Sequence, residues 1–531
     1  MQFHGQNFIG SSLSARGSKL IHAYNPREGK QLEAAFHEAT SDEVDAALTL
    51  AEQAFQKLRE INAQQTATFL ETAATEIEAL GDDLIDQAVT ESGLTKDRLT
   101  GERGRTANQL RLFASLVREG SYVDARIDTA LPDRKPLPRP DLRRMLIPIG
   151  PVVVFGASNF PLAFSVAGGD TASAFAAKNP VIVKAHPAHP GTSELVASAI
   201  LRAVNKTGLP DGTFSMLHAA DPEVSLSLVK HRAARAVGFT GSERAGRAIF
   251  NAAAQRPDPI PAYVEMGSIN PVFVLPGALE SSPDTIAQGL FASMNMGVGQ
   301  FCTSPGVVIG KASRSFQEFG KKLTALIENG TPGTMLHSSI LKGYVENIEQ
   351  RSRVEGVATV RSSQKLDPAK TEATPVLFET DAGAWLRNRQ LATEIFGPSA
   401  VLVRSHSKEE LLRVATELHG TLTATIFGTP ADLEENRELI AILEEKAGRL
   451  IFNGYPTGVE VSPAMHHGGP YPATADPKFT SVGTAAIVRF LRPVCFQNFP
   501  EKSLPAELQN ANTRGIWRLV NGELTKAAIA S

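Results

Sequence analysis

The chain has 531 residues, of which 42% are hydrophobic and 21% charged, and its formal net charge is −3. A chain of this length exceeds a single hydrophobic core and is expected to form two or three domains, while its ordinary composition excludes a disordered protein. The small net charge gives no support for binding to nucleic acid or to an anionic membrane.

The first hundred residues are predicted to be mainly helical. Ser41 is a candidate N-cap for a helix whose apolar residues are spaced by three and four, namely Val44, Leu48, Ala51, Phe55 and Leu58. A second amphipathic pattern ends at Gly81. A third, over residues 103–117, carries three arginines, Arg103, Arg105 and Arg111.

Residues 126–142 are rich in proline, which favours an extended arm or an edge hairpin over a helix or a central strand. Beyond them, short apolar runs alternate with helical patterns. The predicted elements are strands at 152–155, 181–183 and 236–239 and helices at 192–204 and 243–255. Such alternation predicts a parallel sheet with helices on both faces and ligands at the carboxyl ends of its strands.

A second α/β region begins after Gly267, with strands at 271–275 and 306–309 around a helix at 283–296. We expect a dinucleotide-binding domain, a catalytic domain, an arm and a surface tail. The dinucleotide-binding domain is predicted to span 1–125 and 143–264, and the catalytic domain 265–465. The arm is predicted to comprise 126–142 and 480–498, with a strand at 482–490, and the tail 499–531.

Four segments carry residues suited to chemistry: 156–161 with Asn159, 239–242 followed by Gly246, 264–267 with Glu265, and 299–303 with Cys302. An asparagine amide can donate to an oxyanion, and a turn that opens a helix can hold a pyrophosphate. A glutamate can act as a general base and a cysteine as a nucleophile. Taken singly, each has a structural alternative: a turn, a loop carboxylate or a buried thiol.

Cysteine usage bears on the compartment as well. Only Cys302 and Cys495 occur, which excludes a disulfide framework and a cysteine-based metal cluster and favours a reducing, cytoplasmic location. Cys495 falls in a predicted strand and is assigned a structural role. Neither a signal peptide nor a membrane span is recognisable.

Together the four segments resemble the aldehyde dehydrogenase family over most of the chain. The resemblance rests on 299–303, 265–267, 159–161, Lys184 and 394–398. It implies an aldehyde dehydrogenase-like α/β fold, with a Rossmann-like parallel-sheet cofactor domain, an α/β catalytic domain and a small β oligomerisation arm. It also implies assembly into a homodimer or homotetramer.

The resemblance further implies that Cys302 attacks an aldehyde, Asn159 stabilises the oxyanion, and Glu265 activates water to hydrolyse the thioester. Acyl transfer to coenzyme A is disfavoured, because it needs no water-activating base. A catalytically inactive dinucleotide-binding protein is the non-enzymatic alternative, and it would have no need of all three residues.

The expected cofactor residues are Lys184, His186, Pro187, Thr240, Gly241, Ser242, Gly246, Glu394 and Phe396. Many NAD-using relatives carry a glutamate three residues after the lysine, where this chain has Pro187. Without that carboxylate a 2′-phosphate meets less repulsion, so we predict NADP+ in preference to NAD+.

Several details are similar to the branch of the family that oxidises 2,5-dioxopentanoate to 2-oxoglutarate, and a fatty-aldehyde branch is similar in the same places. Arg105 is expected to bind the carboxylate of a semialdehyde beside Phe160, with a solvated basic helix face as the alternative. No metal is expected at His466 and His467, since no cysteine or acid cluster is predicted to lie near them.

Overall fold

The computed structural model describes residues 3–530, which form three large sheets, two of them covered by helices. The elements up to residue 265 are β1 (Asn7–Ile9), β2 (Ser12–Ser14), β3 (Leu20–Asn25), β4 (Lys30–His37), α1 (Ser41–Leu58), α2 (Ala63–Glu78), α3 (Gly81–Ser92), α4 (Lys96–Glu119), β5 (Ala125–Asp128), β6 (Leu142–Pro148), β7 (Val152–Phe155), α5 (Gly169–Ala176), β8 (Val181–Ala185), α6 (Pro190–Thr207), β9 (Phe214–His218), α7 (Pro222–Lys230), β10 (Ala236–Thr240), α8 (Glu243–Ala254) and β11 (Ala262–Glu265).

The later elements are β12 (Pro271–Val274), α9 (Pro276–Ser281), α10 (Pro283–Asn295), β13 (Val307–Lys311), α11 (Arg314–Glu328), β14 (Gly333–Thr334), α12 (Ser338–Ser352), β15 (Ala358–Arg361), β16 (Glu372–Ala373), β17 (Val376–Asp381), α13 (Ala382–Arg387), β18 (Ser399–Ser405), α14 (Lys408–Glu417), β19 (Thr421–Phe427), α15 (Pro430–Glu435), α16 (Arg437–Lys446), β20 (Ala447–Phe452), β21 (Leu491–Gln497), β22 (Arg518–Val520) and β23 (Glu523–Thr525). None of the helices within residues 3–530 combines the length and apolarity needed to cross a membrane.

The first sheet has the strand order β11-β10-β7-β8-β9-β1-β2, and the five strands β7 to β11 run parallel, as the alternating pattern predicts. Helices cover both faces. One face packs mainly on α2, α4, α5 and α6, and the other on α1, α7 and α8. Burial on both sides explains why these strands consist of continuous apolar runs rather than alternating ones.

The N-terminal region differs from the helical prediction, because residues 7–37 form the four strands β1 to β4. Helix α1 follows the predicted apolar spacing, but its N-cap is Thr40 and not Ser41. The Thr40 hydroxyl accepts a hydrogen bond from the Glu43 N–H, and the Glu43 carboxylate accepts one from the Thr40 N–H. This capping box satisfies two amides that would otherwise lack partners at the helix start.

The second sheet has the order β15-β17-β18-β13-β12-β19-β20 and is parallel except for β15. It lies within the segment predicted to be the catalytic domain. Strand β20 forms one edge and exposes Leu450 and Phe452, whose relative accessibilities are 40% and 45%. An apolar edge strand of this kind offers unpaired backbone groups to another chain.

The arm is a five-stranded sheet of order β21-β6-β5-β22-β23. Its structure corrects three of the predictions made from the sequence. Residues 142–148 belong to this sheet and not to the cofactor domain. The strand predicted at 482–490 is wrong, because Thr484–Phe490 is a 3-10 helix. The predicted surface tail is also wrong, since it supplies β22 and β23 and buries the Arg518 side chain completely.

Candidate active site

The site lies at the carboxyl edge of the first sheet, where parallel strands bring distant residues together. Asn159 follows the central strand β7, Lys184 lies in β8 on one side, and Thr240 ends β10 on the other. Glu265 ends β11 and pairs in register with Thr240. The register of parallel strands thus gathers four of the predicted residues along one edge.

The Cys302 loop reaches this edge from the second domain through a left-handed segment after α10. Gly297, Val298 and Gly299 have φ values of 56°, 58° and 65°. A Cβ at Gly299 would lie 2.3 Å from the carbonyl carbon of Gly397, so only glycine fits there. The backbone N–H of Cys302 donates to no group within residues 3–530, which leaves it free for a ligand oxygen.

Asn159 is buried next to the cysteine loop. Its side-chain amide donates to the carbonyl oxygen of Gln300 at 3.1 Å, and its own carbonyl accepts from Arg98 at 2.6 Å. The Arg98 guanidinium lies between the rings of Phe160 and Phe301, at 4.8 and 4.6 Å from their centroids. Arg98 was not predicted as a site residue, because its partner lies 61 residues away in the chain.

A histidine lies between the predicted nucleophile and the predicted base. His467 Nε2 is 3.5 Å from Cys302 Sγ and 3.1 Å from Glu265 Oε1. The hydroxyl of Ser481 donates to Glu265 Oε2 at 2.8 Å. His467 and Ser481 were not predicted as site residues. The premise that no cysteine or acid lies near His467 is wrong, because the fold brings both to it.

Burial and charge set the ionisation of the two reacting groups in opposite directions. Burial, together with the charges of Glu265 and Glu394, raises the pKa of the Cys302 thiol well above its ordinary value, and Arg105 acts against this. Burial also acts to raise the pKa of Glu265. The charge and hydrogen bond of His467 and the bond from Ser481 outweigh it, so the pKa of Glu265 lies below its ordinary value.

The predicted pyrophosphate segment forms the start of α8. Ser242 is the N-cap, and its hydroxyl accepts from the Ala245 N–H at 3.4 Å. A Cβ at Gly246 would lie 2.6 Å from side-chain atoms of Val264 and Met266, so α8 packs directly on the sheet. Thr240, Gly241 and Ser242 are partly or fully exposed in front of the helix N-terminus, a geometry that suits a phosphate.

Lys184 and His186 lie across the sheet edge from that helix. Lys184 forms no ion pair in the described part of the chain, and burial lowers its pKa to about 8 against the opposing charge of Glu38. The His186 ring stacks on His189 at 5.4 Å and lies 6.1 Å from the His337 ring. Pro187 follows, where it brings no charge to the pocket. His189 instead contacts the Ala157 carbonyl at 2.9 Å.

Glu394 and Phe396 lie in the loop before β18, facing the same region. Glu394 Oε2 is 2.8 Å from the point that a Cβ on Gly267 would occupy, and burial raises the pKa of Glu394 to about 8. Phe396 is partly exposed. A lysine without an ion pair in the described chain, an exposed helix start and the Glu394 carboxyl together fit a dinucleotide, with its phosphates at α8 and its sugar hydroxyls at Lys184 and Glu394.

The three arginines of α4 differ in what they contact. Arg103 donates to the Gly81 carbonyl at 2.6 Å and Arg111 to Glu78 at 2.7 Å, so both are engaged in packing α4. Arg105 instead lies 5.9 Å from the Phe160 ring and 5.5 Å from the Phe164 ring. Its Nε and Nη2 atoms are buried and have no partner within residues 3–530.

Arg105 and Phe160 also line a cavity of about 690 Å³, together with Arg98 and Phe301. The structure thus separates Arg105 from the other two arginines. A buried guanidinium with free donors beside an aromatic wall is suited to a ligand that carries a carboxylate.

The fold and the site define a thiol-dependent oxidoreductase with a dinucleotide-binding sheet and an adjoining catalytic domain. Residues 13–470 match the model of the aldehyde dehydrogenase family. The chain belongs to the aldehyde dehydrogenase family and is an NAD(P)-dependent aldehyde dehydrogenase, as the sequence motifs predict.

Two full-length relatives are similar to it. The chain is 47% identical to the alpha-ketoglutaric semialdehyde dehydrogenase of Acinetobacter baylyi, over 98% of this chain and 99% of the relative. It is also 47% identical to alpha-ketoglutaric semialdehyde dehydrogenase 2 of Azospirillum brasilense, over 98% and 100%. Among solved structures, 1-pyrroline-5-carboxylate dehydrogenase from Thermus with bound NAD superposes with a TM-score of 0.78 at 21% identity, covering 93% of this chain and 92% of that one.

Proposed function

We propose that this enzyme oxidises 2,5-dioxopentanoate, also called α-ketoglutaric semialdehyde, to 2-oxoglutarate, with NADP+ as the preferred cofactor. The observation that carries the proposal is the 47% identity to two dehydrogenases of that substrate over nearly the whole chain. The substrate joins an aldehyde to a carboxylate, so its site needs a nucleophile and a cation.

Arg105 supports the choice of an acidic substrate. Its guanidinium has two buried donor atoms without partners, and burial lowers its pKa, with Glu102, Cys302 and Glu460 acting in the opposite direction. Glu102 uses its Oε1 to accept from the N–H groups of Leu162 and Ala163 at 2.9 and 3.0 Å. Its Oε2 lies 4.0 Å from Arg98 Nε and forms no hydrogen bond to Arg105 in the described chain. A substrate carboxylate would give Arg105 the partner that it lacks.

The proposed reaction uses three residues in turn. The Cys302 thiolate attacks the aldehyde carbon, and the Asn159 amide and the Cys302 N–H stabilise the oxyanion, at roughly 3 kcal/mol per donor. A bound nicotinamide dinucleotide supplies the acceptor for the hydride that leaves this carbon. The resulting thioester on Cys302 is hydrolysed by a water molecule that Glu265 deprotonates, and the acid departs.

The NADP+ preference rests on the pocket around Lys184. Pro187 contributes no negative charge, and Lys184 forms no ion pair among the described residues, although the charge of Glu38 acts on it at longer range. A 2′-phosphate could therefore pair with Lys184. Replacing Pro187 with Glu should lower the ratio of kcat/KM for NADP+ to that for NAD+ by tenfold or more. A wild-type enzyme that clearly favours NAD+ would refute the preference.

A homodimer or homotetramer is the proposed assembly, in the cytoplasm. The exposed edge strand β20 and the arm strand β21 are both free on one side in the single chain. Pairing such edges between subunits would cover Leu450 and Phe452. Light scattering after size exclusion should give two or four chain masses, and Phe452→Asp should shift the distribution toward the monomer.

The test of the substrate is a comparison of NADPH formation from 2,5-dioxopentanoate and from hexanal. We expect kcat/KM to favour the dioxo acid by tenfold or more, which is about 1.4 kcal/mol. Arg105→Ala should remove that preference and leave hexanal oxidation largely unchanged, while Arg111→Ala, on the same helix, serves as the matched control. A wild-type preference for hexanal would instead indicate a fatty-aldehyde dehydrogenase.

A further inference from the structure

His467 contacts the two reacting side chains through a single atom. Nε2 is 3.5 Å from Cys302 Sγ and 3.1 Å from Glu265 Oε1, and the nearest ligand atoms of the three residues all lie within 4.8 Å of one another. The three residues come from chain positions at least 37 apart, so the fold and not local sequence assembles them. A nitrogen in this position can exchange a proton with either neighbour.

The imidazole is held firmly in place. His467 is 2% exposed, its backbone N–H donates to the Thr480 hydroxyl at 2.8 Å, and its carbonyl accepts from the Ser481 N–H at 2.9 Å. The Phe164 ring lies 6.3 Å away. Because the backbone is fixed on both sides and the side chain is buried, the ring has little freedom to turn away from Cys302 and Glu265.

We propose that neutral His467, protonated at Nδ1, accepts the thiol proton of Cys302 at Nε2 and that Glu265 then accepts a hydrogen bond from the imidazolium so formed, a step that rests on the proposed nucleophilic role of Cys302. The imidazolium is the form whose charge and hydrogen bond lower the pKa of Glu265. In this step the S–H bond breaks and an Nε2–H bond forms, which leaves a thiolate beside an imidazolium. The proton returns to sulfur when the acid product leaves and the thiolate is released. Neither an oxidant nor a further reactant is needed.

The electrostatics of the site explain why such a proton acceptor is required. The charge of Glu265 disfavours a second negative charge at sulfur, and Glu394 adds to this effect in its ionised form, which predominates only above about pH 8. A positive imidazolium between Cys302 and Glu265 changes the sign of that interaction and pairs each anion with the same cation.

The other titratable and charged groups that face His467 or the thiol are Glu394, Arg105, Arg449 and His466. Arg105 and Arg449 remain protonated over the working pH range. Glu394 and His466 can also contribute to the pH profile, so their contributions must be distinguished from that of His467 by substitution. His466 provides the matched control, since it is the adjacent histidine and has no hydrogen bond to Cys302 or Glu265 in the described chain.

The test measures the rate at which iodoacetamide alkylates Cys302 as a function of pH, in a Cys495→Ser enzyme so that one thiol remains. Burial and the neighbouring acids raise the pKa of the thiol, and the proposed imidazolium opposes them, so we expect wild-type Cys302 to react as a thiolate well below pH 8.5, the ordinary pKa of a thiol. His467→Gln should slow alkylation at pH 7 by tenfold or more and move the profile to higher pH. His466→Gln should leave both unchanged.

Each outcome is decisive. An alkylation profile in His467→Gln that matches the wild type overturns the role of His467, while the nucleophilic role of Cys302 survives if alkylation still abolishes activity. If alkylated Cys302 enzyme stays active, the proposed function itself fails. Should His467→Gln not fold, the wild-type profile alone decides, because a profile centred at or above pH 8.5 excludes a thiolate–imidazolium pair.

Discussion

The side-chain amide of Asn270 donates to the backbone carbonyl of Cys302 at 2.8 Å and to that of Ser304 at 2.9 Å. Its amide oxygen accepts from the hydroxyls of Ser268 at 2.7 Å and Thr423 at 3.0 Å. Asn270 is 1% exposed, so these bonds form without competition from water. One buried side chain thus fixes the nucleophile loop to the strands of the second sheet.

Removing this amide should loosen the Cys302 loop. Asn270 has a φ of 47°, which glycine adopts without strain, so Asn270→Gly isolates the loss of the amide from backbone effects. We expect about 3 kcal/mol of destabilisation, because two buried carbonyls and two hydroxyls lose a partner. Urea unfolding measures it, and kcat should fall by tenfold or more; unchanged values of both would refute the anchoring role.

Glu265→Gln should separate acylation from deacylation. The carboxamide cannot take a proton from water, so the thioester should accumulate after one hydride transfer. Stopped-flow absorbance should show a burst of about one NADPH per active site, followed by turnover at least 100-fold slower than in the wild type. Ser481→Ala keeps the base and removes only its 2.8 Å hydrogen bond, so it should show a smaller loss. Undiminished turnover in Glu265→Gln would contradict the assignment.

Cofactor selectivity should depend on pH through Lys184. Burial lowers the pKa of Lys184 to about 8, so its positive charge is present below that pH and is lost as the pH rises through it. At pH 9 about one-tenth of the charge remains. The ratio of kcat/KM for NADP+ to that for NAD+ should therefore fall between pH 7 and 9, and Lys184→Met should make it flat. A constant ratio in the wild type would show that Lys184 does not face the 2′-phosphate.

Local sequence predicted the parts of the fold that depend on local patterns. The runs at 152–155 and 181–183 are buried on both faces, and continuous apolar stretches of that kind identify parallel strands. Asn159 follows the first of these runs and Lys184 lies directly after the second, and parallel topology places both at the same edge. The fold class and the gathering of the predicted residues followed from this without three-dimensional information.

The errors arose where distant contacts decide the structure. The segment 482–490 has the β-branched composition of a strand, yet it packs as a 3-10 helix with Phe490 fully buried. Arg518 in the supposed tail is completely buried because backbone carbonyls, among them those of Gln509 and Ala527, accept from its guanidinium. His467 lies 165 residues from Cys302 and 202 from Glu265. No spacing rule connects positions that far apart.

The arm sheet has a consequence for how the protein is made. Strands β5 and β22 pair in parallel, although ~390 residues separate them in the chain. A ribosome that adds 5–20 residues per second needs roughly 20 to 80 s to reach β22 after β5 has been synthesised. Throughout that interval one side of β5 lacks its partner, and the nascent chain carries an open strand edge while both catalytic halves are completed. An open strand edge can pair with another chain, so the arm is most exposed to misassembly during translation, well before the enzyme can meet a substrate.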